Sequence, residues 1–139
     1  MENKATGLLG KERILLSTLW IFVTLNYLYC DVMGLMDPNL LKKFLTGNVD
    51  GLIINEPFLL AAAVLMEIPI AMVLLSRILK DKINRWANII AAFIKTAVMI
   101  LTLFIGTTTI YYLFYAVIEI ATTSFIMWYA WRWKTATTA

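Results

Sequence analysis

Residues 57–79 read PFLLAAAVLMEIPIAMVLLSRIL, and this stretch decides the fold class. Almost every side chain in it is apolar; Glu67 is its only acid, and Arg77, near its end, is its only base. A helix needs about 20 mostly apolar residues to cross the hydrocarbon core of a bilayer. The stretch meets this requirement, so it predicts a transmembrane helix.

Three further stretches of the chain have a similar length and apolar content. The four predicted spans are residues 14–35, 57–79, 86–105 and 110–131. The composition agrees: of 139 residues, 61% are hydrophobic and 15% are charged, whereas soluble domains carry about 45–50% apolar and roughly 25% charged residues. A soluble domain of this length could not hide so much apolar surface from water. The sequence therefore predicts an all-α protein, a four-transmembrane-helix bundle that forms a single membrane domain over residues 1–139.

The basic residues of the connections indicate the orientation of the bundle. They are concentrated before the first span, between the second and third spans, and after the fourth: Lys4, Lys11, Arg13, Arg77, Lys80, Lys82, Arg85, Arg132 and Lys134. In a four-span topology these three regions lie on the same side, and short basic loops stay in the cytoplasm. We therefore expect a multi-pass protein of the cell membrane with both termini cytoplasmic.

The connection between the first and second spans begins with a helix signal. Asp37 can cap a helix whose first residue is Pro38, because the proline backbone is pre-set for that position. Leucine and phenylalanine side chains then form an apolar face opposite two lysines, and Gly47 can end the helix. We expect a short amphipathic helix over residues 38–46, in the first outer loop, on the outer membrane surface. It either covers the bundle or simply connects two spans.

Missing residue types exclude several classes of functional site. The chain has no histidine, and Cys30 is its only cysteine. This excludes internal disulfides, CxxC motifs, haem ligation, most zinc chemistry and nucleophile pairs that need histidine. We therefore expect no cofactor and no metal site. The net charge of +3 comes from basic residues at helix ends rather than from a basic patch, so nucleic acid is not an expected partner.

Each predicted span contains an ionisable residue away from its ends: Asp31, Glu67, Lys95 and Glu119. An Asp, Lys or Arg at the centre of a membrane helix costs about 2.5–3.5 kcal/mol, so such residues face the bundle interior and pair, or face a water-filled cavity. At about 1.5 Å per residue, Glu67, Lys95 and Glu119 lie roughly 13–15 Å from the ends of their spans. We expect these three to meet at the bilayer midplane and Asp31 to lie near the outer interface.

Polar residues follow the ionisable ones at helical spacing and extend the expected site. The candidate ligand- or proton-binding residues are Glu67, Lys95, Glu119, Asp31, Asn88, Tyr27, Tyr115, Asn26 and Thr24. Asn26 and Tyr27 lie on adjoining faces, and the spacing leaves open which points inward. Two acids and one lysine leave one carboxyl group without a counter-charge. This suits proton coupling or acid–base catalysis, and it also fits a structural clasp between helices.

Several runs distributed along the chain are ILLSTLWIF at residues 14–22, NYLYCD at 26–31, MEIP at 66–69, NRWAN at 84–88, YY at 111–112 and AVIE at 116–119. Together they resemble a family of small, uncharacterised four-helix prokaryotic integral membrane proteins, over essentially the whole chain. In size and helix count the architecture is also similar, more distantly, to that of DoxX-like membrane proteins. The resemblance implies the four-helix fold and its topology, and it implies no particular activity.

Three functions fit these observations. The first is proton-linked transport or binding of a small solute or amphipathic molecule, with Glu67 and Glu119 as proton or cation sites, Lys95 as counter-ion, and Asn88 and Tyr115 as hydrogen-bonding groups. Four spans are few for a transport pathway, so this role predicts a homo-oligomer in the lipid bilayer. The second is a non-catalytic accessory subunit whose charged residues specify assembly. The third is an intramembrane acid–base enzyme acting on a lipophilic substrate. No nucleophile triad or phosphate loop is visible, so the sequence favours a protein that is not an enzyme.

Overall fold

The computed structural model describes residues 2–106 and 108–134, with side chains from residue 10 onward. Within these residues the chain forms five α-helices and one two-stranded antiparallel hairpin. The elements in chain order are α1 (Glu2–Met36), α2 (Pro38–Leu45), β1 (Asn48–Val49), β2 (Leu52–Ile53), α3 (Glu56–Ile78), α4 (Asp81–Thr102) and α5 (Ile110–Arg132). The fold is therefore all-helical apart from one short hairpin.

Four of these helices are long and apolar enough to cross a membrane: α1 from Gly10 onward, α3, α4 and α5. This supports a multi-pass membrane protein. Two helices begin several residues earlier than the predicted spans: α1 starts at Glu2 rather than at residue 14, and α4 starts at Asp81 rather than at residue 86. The polar residues at these ends continue the helix beyond its apolar part.

The four long helices form a bundle in which chain neighbours run antiparallel. Helix α1 packs against α3 and α5, and α4 packs mainly against α5 and to a smaller extent against α3. Leu16, Trp20, Val23 and Tyr27 form the buried face of α1, and their spacing of three and four residues keeps them on one side of the helix. Small residues such as Ala92 let the helix backbones approach closely.

The bundle has two different ends. The first, here called the terminus end, carries the start of α1, the α3–α4 turn and the end of α5. At this end the Arg13 guanidinium donates to Asp81 Oδ1 from Nη2 at 2.6 Å and from Nε at 3.1 Å. Arg13 Nη1 also donates to the Arg77 carbonyl oxygen at 3.2 Å. These bonds tie the start of α1 to the α3–α4 turn.

The opposite end, here called the loop end, carries α2, the hairpin and the residues between α4 and α5. Asp37 caps α2 as expected: its carboxylate accepts from the backbone N–H of Asn39 at 2.9 Å, with Pro38 as the first residue of the helix. That α2 lies on a membrane surface stays a prediction, as does the cytoplasmic orientation of the termini. The hairpin was not predicted. Its turn has positive φ at Asp50 and Gly51, the geometry of the tight turns that Asp-Gly pairs favour.

Candidate functional site

Lys95 and Glu119 bring opposite charges into the interior of the bundle. Lys95 comes from the middle of α4 and is 4% exposed, and Glu119 comes from α5 and is 1% exposed. The two side chains interact electrostatically. Among the described residues, however, no N–O contact of 4.0 Å or less joins them. The pair therefore neutralises charge without closing into a hydrogen-bonded salt bridge.

The Lys95 ammonium is held by α1 and α3. Its Nζ lies 4.0 Å from the centroid of the Tyr27 ring, and it donates to Met66 Sδ at 3.7 Å. A cation over an aromatic face is stabilised by about 2 kcal/mol when both are desolvated, but a thioether sulfur is only a weak acceptor. Lys95 is thus positioned by two neighbouring helices while keeping hydrogen-bonding capacity.

Several polar atoms around this pair are buried without a hydrogen-bond partner among the described residues. They are both carboxylate oxygens of Glu119, the hydroxyl of Tyr27 and Oγ1 of Thr24. Tyr27 also interacts electrostatically with Glu119. Buried polar side chains in proteins are nearly always hydrogen-bonded, and leaving one unpaired costs about 1–3 kcal/mol. These atoms are therefore free to bond to a group from outside the chain.

Asp31 adds a second acid at the margin of this region. It lies one helical turn beyond Tyr27 on α1, toward the loop end, and its side chain is exposed. It interacts electrostatically with Lys95. We refer to Tyr27, Asp31, Lys95 and Glu119 as the charged site. If all three ionisable members are charged, this site carries one excess negative charge.

Glu67 does not join the charged site, and the expectation that it converges with Lys95 and Glu119 is wrong. Its side chain is exposed, and it makes no hydrogen bond or ion pair with any described residue. The buried face of α3 contains Pro69 and Met72. Met66 precedes Pro69 by three residues and so shares that face, which is why Met66 rather than Glu67 reaches Lys95. The inward direction of Glu67 was inferred only from the cost of an ionisable residue in a membrane helix, and the structure turns this side chain outward.

Asn88 belongs to a different cluster, about two turns from Lys95 toward the terminus end. Its Oδ1 accepts from Trp20 Nε1 at 2.7 Å and from Ser76 Oγ at 3.2 Å. Its Nδ2 donates to Asn84 Oδ1 at 2.7 Å, and Asn84 Nδ2 donates to the Ser76 carbonyl oxygen at 2.7 Å. All four side chains are completely buried. We refer to Trp20, Ser76, Asn84 and Asn88 as the asparagine network.

The remaining candidates occupy less direct positions. Tyr27 is buried, whereas Asn26 is half-buried and donates to the Phe22 carbonyl oxygen of its own helix at 2.8 Å. The inward residue of this pair is therefore Tyr27. Thr24 is half-buried one turn before Tyr27. Tyr115 is half-buried on α5, and its ring packs edge-on against Phe114.

A cavity of about 600 Å³ lies at the loop end of the bundle. Residues of α2 and the hairpin, including Lys43, line one side of it. Leu65, Val98 and Tyr112 line the side toward the bundle interior. Leu65 adjoins Met66 in the chain, and Val98 lies three residues from Lys95, so this side of the cavity lies about one helical turn from the charged site. The cavity volume is within the usual range of small-molecule sites.

The cavity lining is mostly apolar, with polar groups at a few points. The Tyr112 hydroxyl donates to Thr102 Oγ1 at 2.7 Å, and both residues line the cavity. Lys43 forms an ion pair with Asp50 at 2.6 Å on the loop side. Neither this cavity nor Met66 was predicted from the sequence. The helical phase of Met66 relative to Pro69 could have identified that residue, but no sequence signal identifies the cavity.

No group of three or more His, Cys, Asp or Glu side chains that could hold a metal ion occurs in residues 10–106 and 108–134. The ionisable groups of the charged site are two carboxyl groups and one amine. Their chemistry suits protons, ammonium groups and hydrogen-bond donors.

Residues 4–139 match a family described as "Family of unknown function (DUF6326)". No curated protein and no solved structure matches the chain.

Proposed function

The chain belongs to the DUF6326 family, and we propose from its site alone that the protein binds a small amphipathic cation in exchange for a proton. The apolar part of the ligand occupies the loop-end cavity. Its cationic, hydrogen-bond-donating group reaches Glu119. The charged site is thus the selective part of the binding site, and the cavity provides its apolar part.

The observation that carries this proposal is the Glu119 carboxyl group. It is almost completely buried, and both of its oxygens have no hydrogen-bond partner among the described residues. A carboxylate has only acceptors to offer, so it requires a donor: a proton of its own or an N–H or O–H group of a ligand. Lys95 lies within electrostatic range but is held by Tyr27 and Met66. Glu119 is therefore the group that a ligand can satisfy.

The charges of the site favour a cationic ligand that exchanges with a proton. Asp31, Lys95 and Glu119 together carry one excess negative charge when all are ionised. The buried charges of Lys95 and Glu119 offset each other, so the excess negative charge corresponds to Asp31 at the exposed margin. Because opposite charges nearby favour the ionised form and like charges disfavour it, we infer that the site adopts either of two neutral forms. In one form a carboxyl group holds a proton. In the other, both carboxyl groups are ionised and a bound cation supplies the positive charge.

The cavity sets the shape of the ligand. Its lining is mostly apolar, and its inner side lies about one helical turn, roughly 5 Å, from the charged site. An elongated molecule with an apolar tail and a terminal ammonium group can occupy both regions. A compact inorganic cation would leave the apolar cavity unused. The geometry therefore favours an amphipathic amine over a simple ion.

Calorimetric titration of the purified protein in lipid nanodiscs tests this proposal. The probes are octylammonium, which donates N–H groups, and octyltrimethylammonium, which carries the same charge and no N–H. We expect octylammonium to bind more tightly and to release protons. Proton release is measured by repeating the titration in buffers with different ionisation enthalpies. Empty nanodiscs correct for partition of the probes into lipid.

Two variants provide the matched comparison. Glu119→Gln preserves the shape of the side chain but removes its charge, so octylammonium affinity should fall by about tenfold or more, as expected for a lost charge-assisted hydrogen bond. Glu67→Gln makes the same change outside the charged site and should leave the affinity unchanged. Equal affinities for the parent protein and Glu119→Gln, or binding without proton release, would contradict the proposal.

A further inference from the structure

On the outward face of α3 one acidic residue lies among apolar residues, which is unusual for a surface that contacts lipid. Leu60, Ala63, Glu67, Ile70 and Leu74 are all exposed, and they follow one another at steps of three, four, three and four residues. We refer to these five residues as the α3 seam. Of the four candidate membrane spans, α3 is also the one with the smallest buried share. This helix therefore has a large surface that the rest of the chain does not cover.

Glu67 lies at the centre of the α3 seam and midway along α3. Its side chain is exposed, and it forms no hydrogen bond or ion pair within residues 10–106 and 108–134. A carboxyl group in this position would face the hydrocarbon core of the bilayer, where ionisable side chains are costly unless they pair. The other four seam residues are apolar, so they cannot form a hydrogen bond with the Glu67 side chain. Glu67 therefore requires a partner that the chain itself does not supply.

The seam residues lie on one face of α3, and such a face can pack against a partner helix. Alternating steps of three and four residues keep side chains in register along a partner helix that crosses at a shallow angle. Ala63, one turn before Glu67, allows the two backbones to approach closely at that point. The α3 seam thus has both the geometry of a helix-pair interface and a polar group at its centre.

We propose that a second copy of this chain, inserted in the same orientation, packs its α3 seam against this one around a twofold axis along the membrane normal. This symmetry places the two Glu67 side chains at the same depth. A carboxylic acid both donates and accepts, so two such groups that retain at least one proton bond to each other. An unrelated partner would need a polar group at this same depth by coincidence, whereas a second copy provides it by symmetry.

Cysteine cross-linking locates the interface. The test uses the full chain in lipid nanodiscs with Cys30→Ala as background, because Cys30 is the only native cysteine. Ile70→Cys places a thiol on the α3 seam, and Phe93→Cys places one on an exposed position near the middle of α4. We expect copper-phenanthroline to form covalent dimers through Ile70→Cys and not through Phe93→Cys.

The strength of association is measured by energy transfer between donor-labelled and acceptor-labelled protein in detergent. The measurement is repeated at several protein-to-detergent ratios. Glu67→Leu should weaken it roughly five- to thirtyfold, the range expected for loss of a hydrogen bond between membrane helices. Glu67→Gln should associate like the parent, because an amide also donates and accepts. Unchanged association of Glu67→Leu, equal cross-linking through Phe93→Cys, or a monomer at every ratio overturns the proposal. The proposed cation binding is measured separately and survives any of these results.

Discussion

The interior of the bundle contains two polar clusters of opposite character, separated by about two helical turns. In the asparagine network, the polar side-chain atoms of Trp20, Ser76, Asn84 and Asn88 bond to one another and to the backbone. In the charged site, both oxygens of Glu119 and the hydroxyl of Tyr27 have no such partner. A satisfied network rigidifies a fold, whereas unsatisfied buried atoms cost stability. The first cluster therefore stabilises the bundle, whereas the second costs stability, as expected of the binding site that we propose.

The largest expected effect comes from breaking the asparagine network. Asn88→Leu removes the acceptor of Trp20 Nε1 and leaves Asn84 Oδ1 without its donor. Each unpaired buried group costs about 1–3 kcal/mol, so we expect the free energy of unfolding to fall by about 2–4 kcal/mol. Unfolding by sodium dodecyl sulfate in mixed micelles measures this change. Asn26→Leu is the control, because Asn26 bonds only to its own helix and should cost well under half as much.

Removing both buried charges of the charged site should raise the free energy of unfolding. The double variant Lys95→Met, Glu119→Leu replaces both buried charges by apolar groups of similar size, a change that often stabilises proteins by about 1–4 kcal/mol. We expect a higher free energy of unfolding together with loss of octylammonium binding. Each single substitution should instead destabilise, because it leaves one buried charge without its counterpart. A double variant less stable than the parent would show that the pair stabilises the fold.

The smallest expected effect on stability comes from the same substitution, Thr to Val, made separately at two positions. Thr123→Val removes a hydroxyl that bonds to Thr96 Oγ1 at 2.7 Å and to the Glu119 carbonyl oxygen at 2.9 Å. Thr24→Val removes a hydroxyl that is buried without a partner among the described residues. We expect a loss of about 1 kcal/mol at Thr123 and no loss, or a slight gain, at Thr24. Thermal unfolding in one detergent compares the two, and equal losses would contradict the distinction between paired and unpaired groups.

The membrane spans and one helix cap were predictable from the sequence, for simple physical reasons. Bilayer thickness fixes the length of an apolar helix, so four long apolar stretches are sufficient to predict four candidate spans. The cap of α2 depends only on Asp37 and its immediate neighbours, so local chemistry determines it. The turn at Asp50 and Gly51 is equally local, and the Asp-Gly pair is a usable sequence signal for the unpredicted hairpin.

The site was only partly predictable because it depends on direction as well as depth. Lys95 and Glu119 were expected to point inward and are buried, since they fall at helical spacing with other inward residues. The spacing left open whether Asn26 or Tyr27 points inward, and the structure buries Tyr27. Glu67 was placed at a plausible depth, but one residue of helical rotation separates it from the inward Met66. The cavity depends on how α2 and the hairpin pack over the helix ends. No spacing rule within a single helix contains that information.

The ion pair between Arg13 and Asp81 lies at the terminus end, and the asparagine network lies beside it. Together they bear on the path that a ligand could take within the bundle. If the proposed ligand enters from the loop end, these bonded side chains lie beyond Lys95 on its path toward the terminus end. The proposed site would then open to one membrane face only, and the ligand would leave through the end by which it entered. Binding of this kind would not dissipate a gradient across the bilayer.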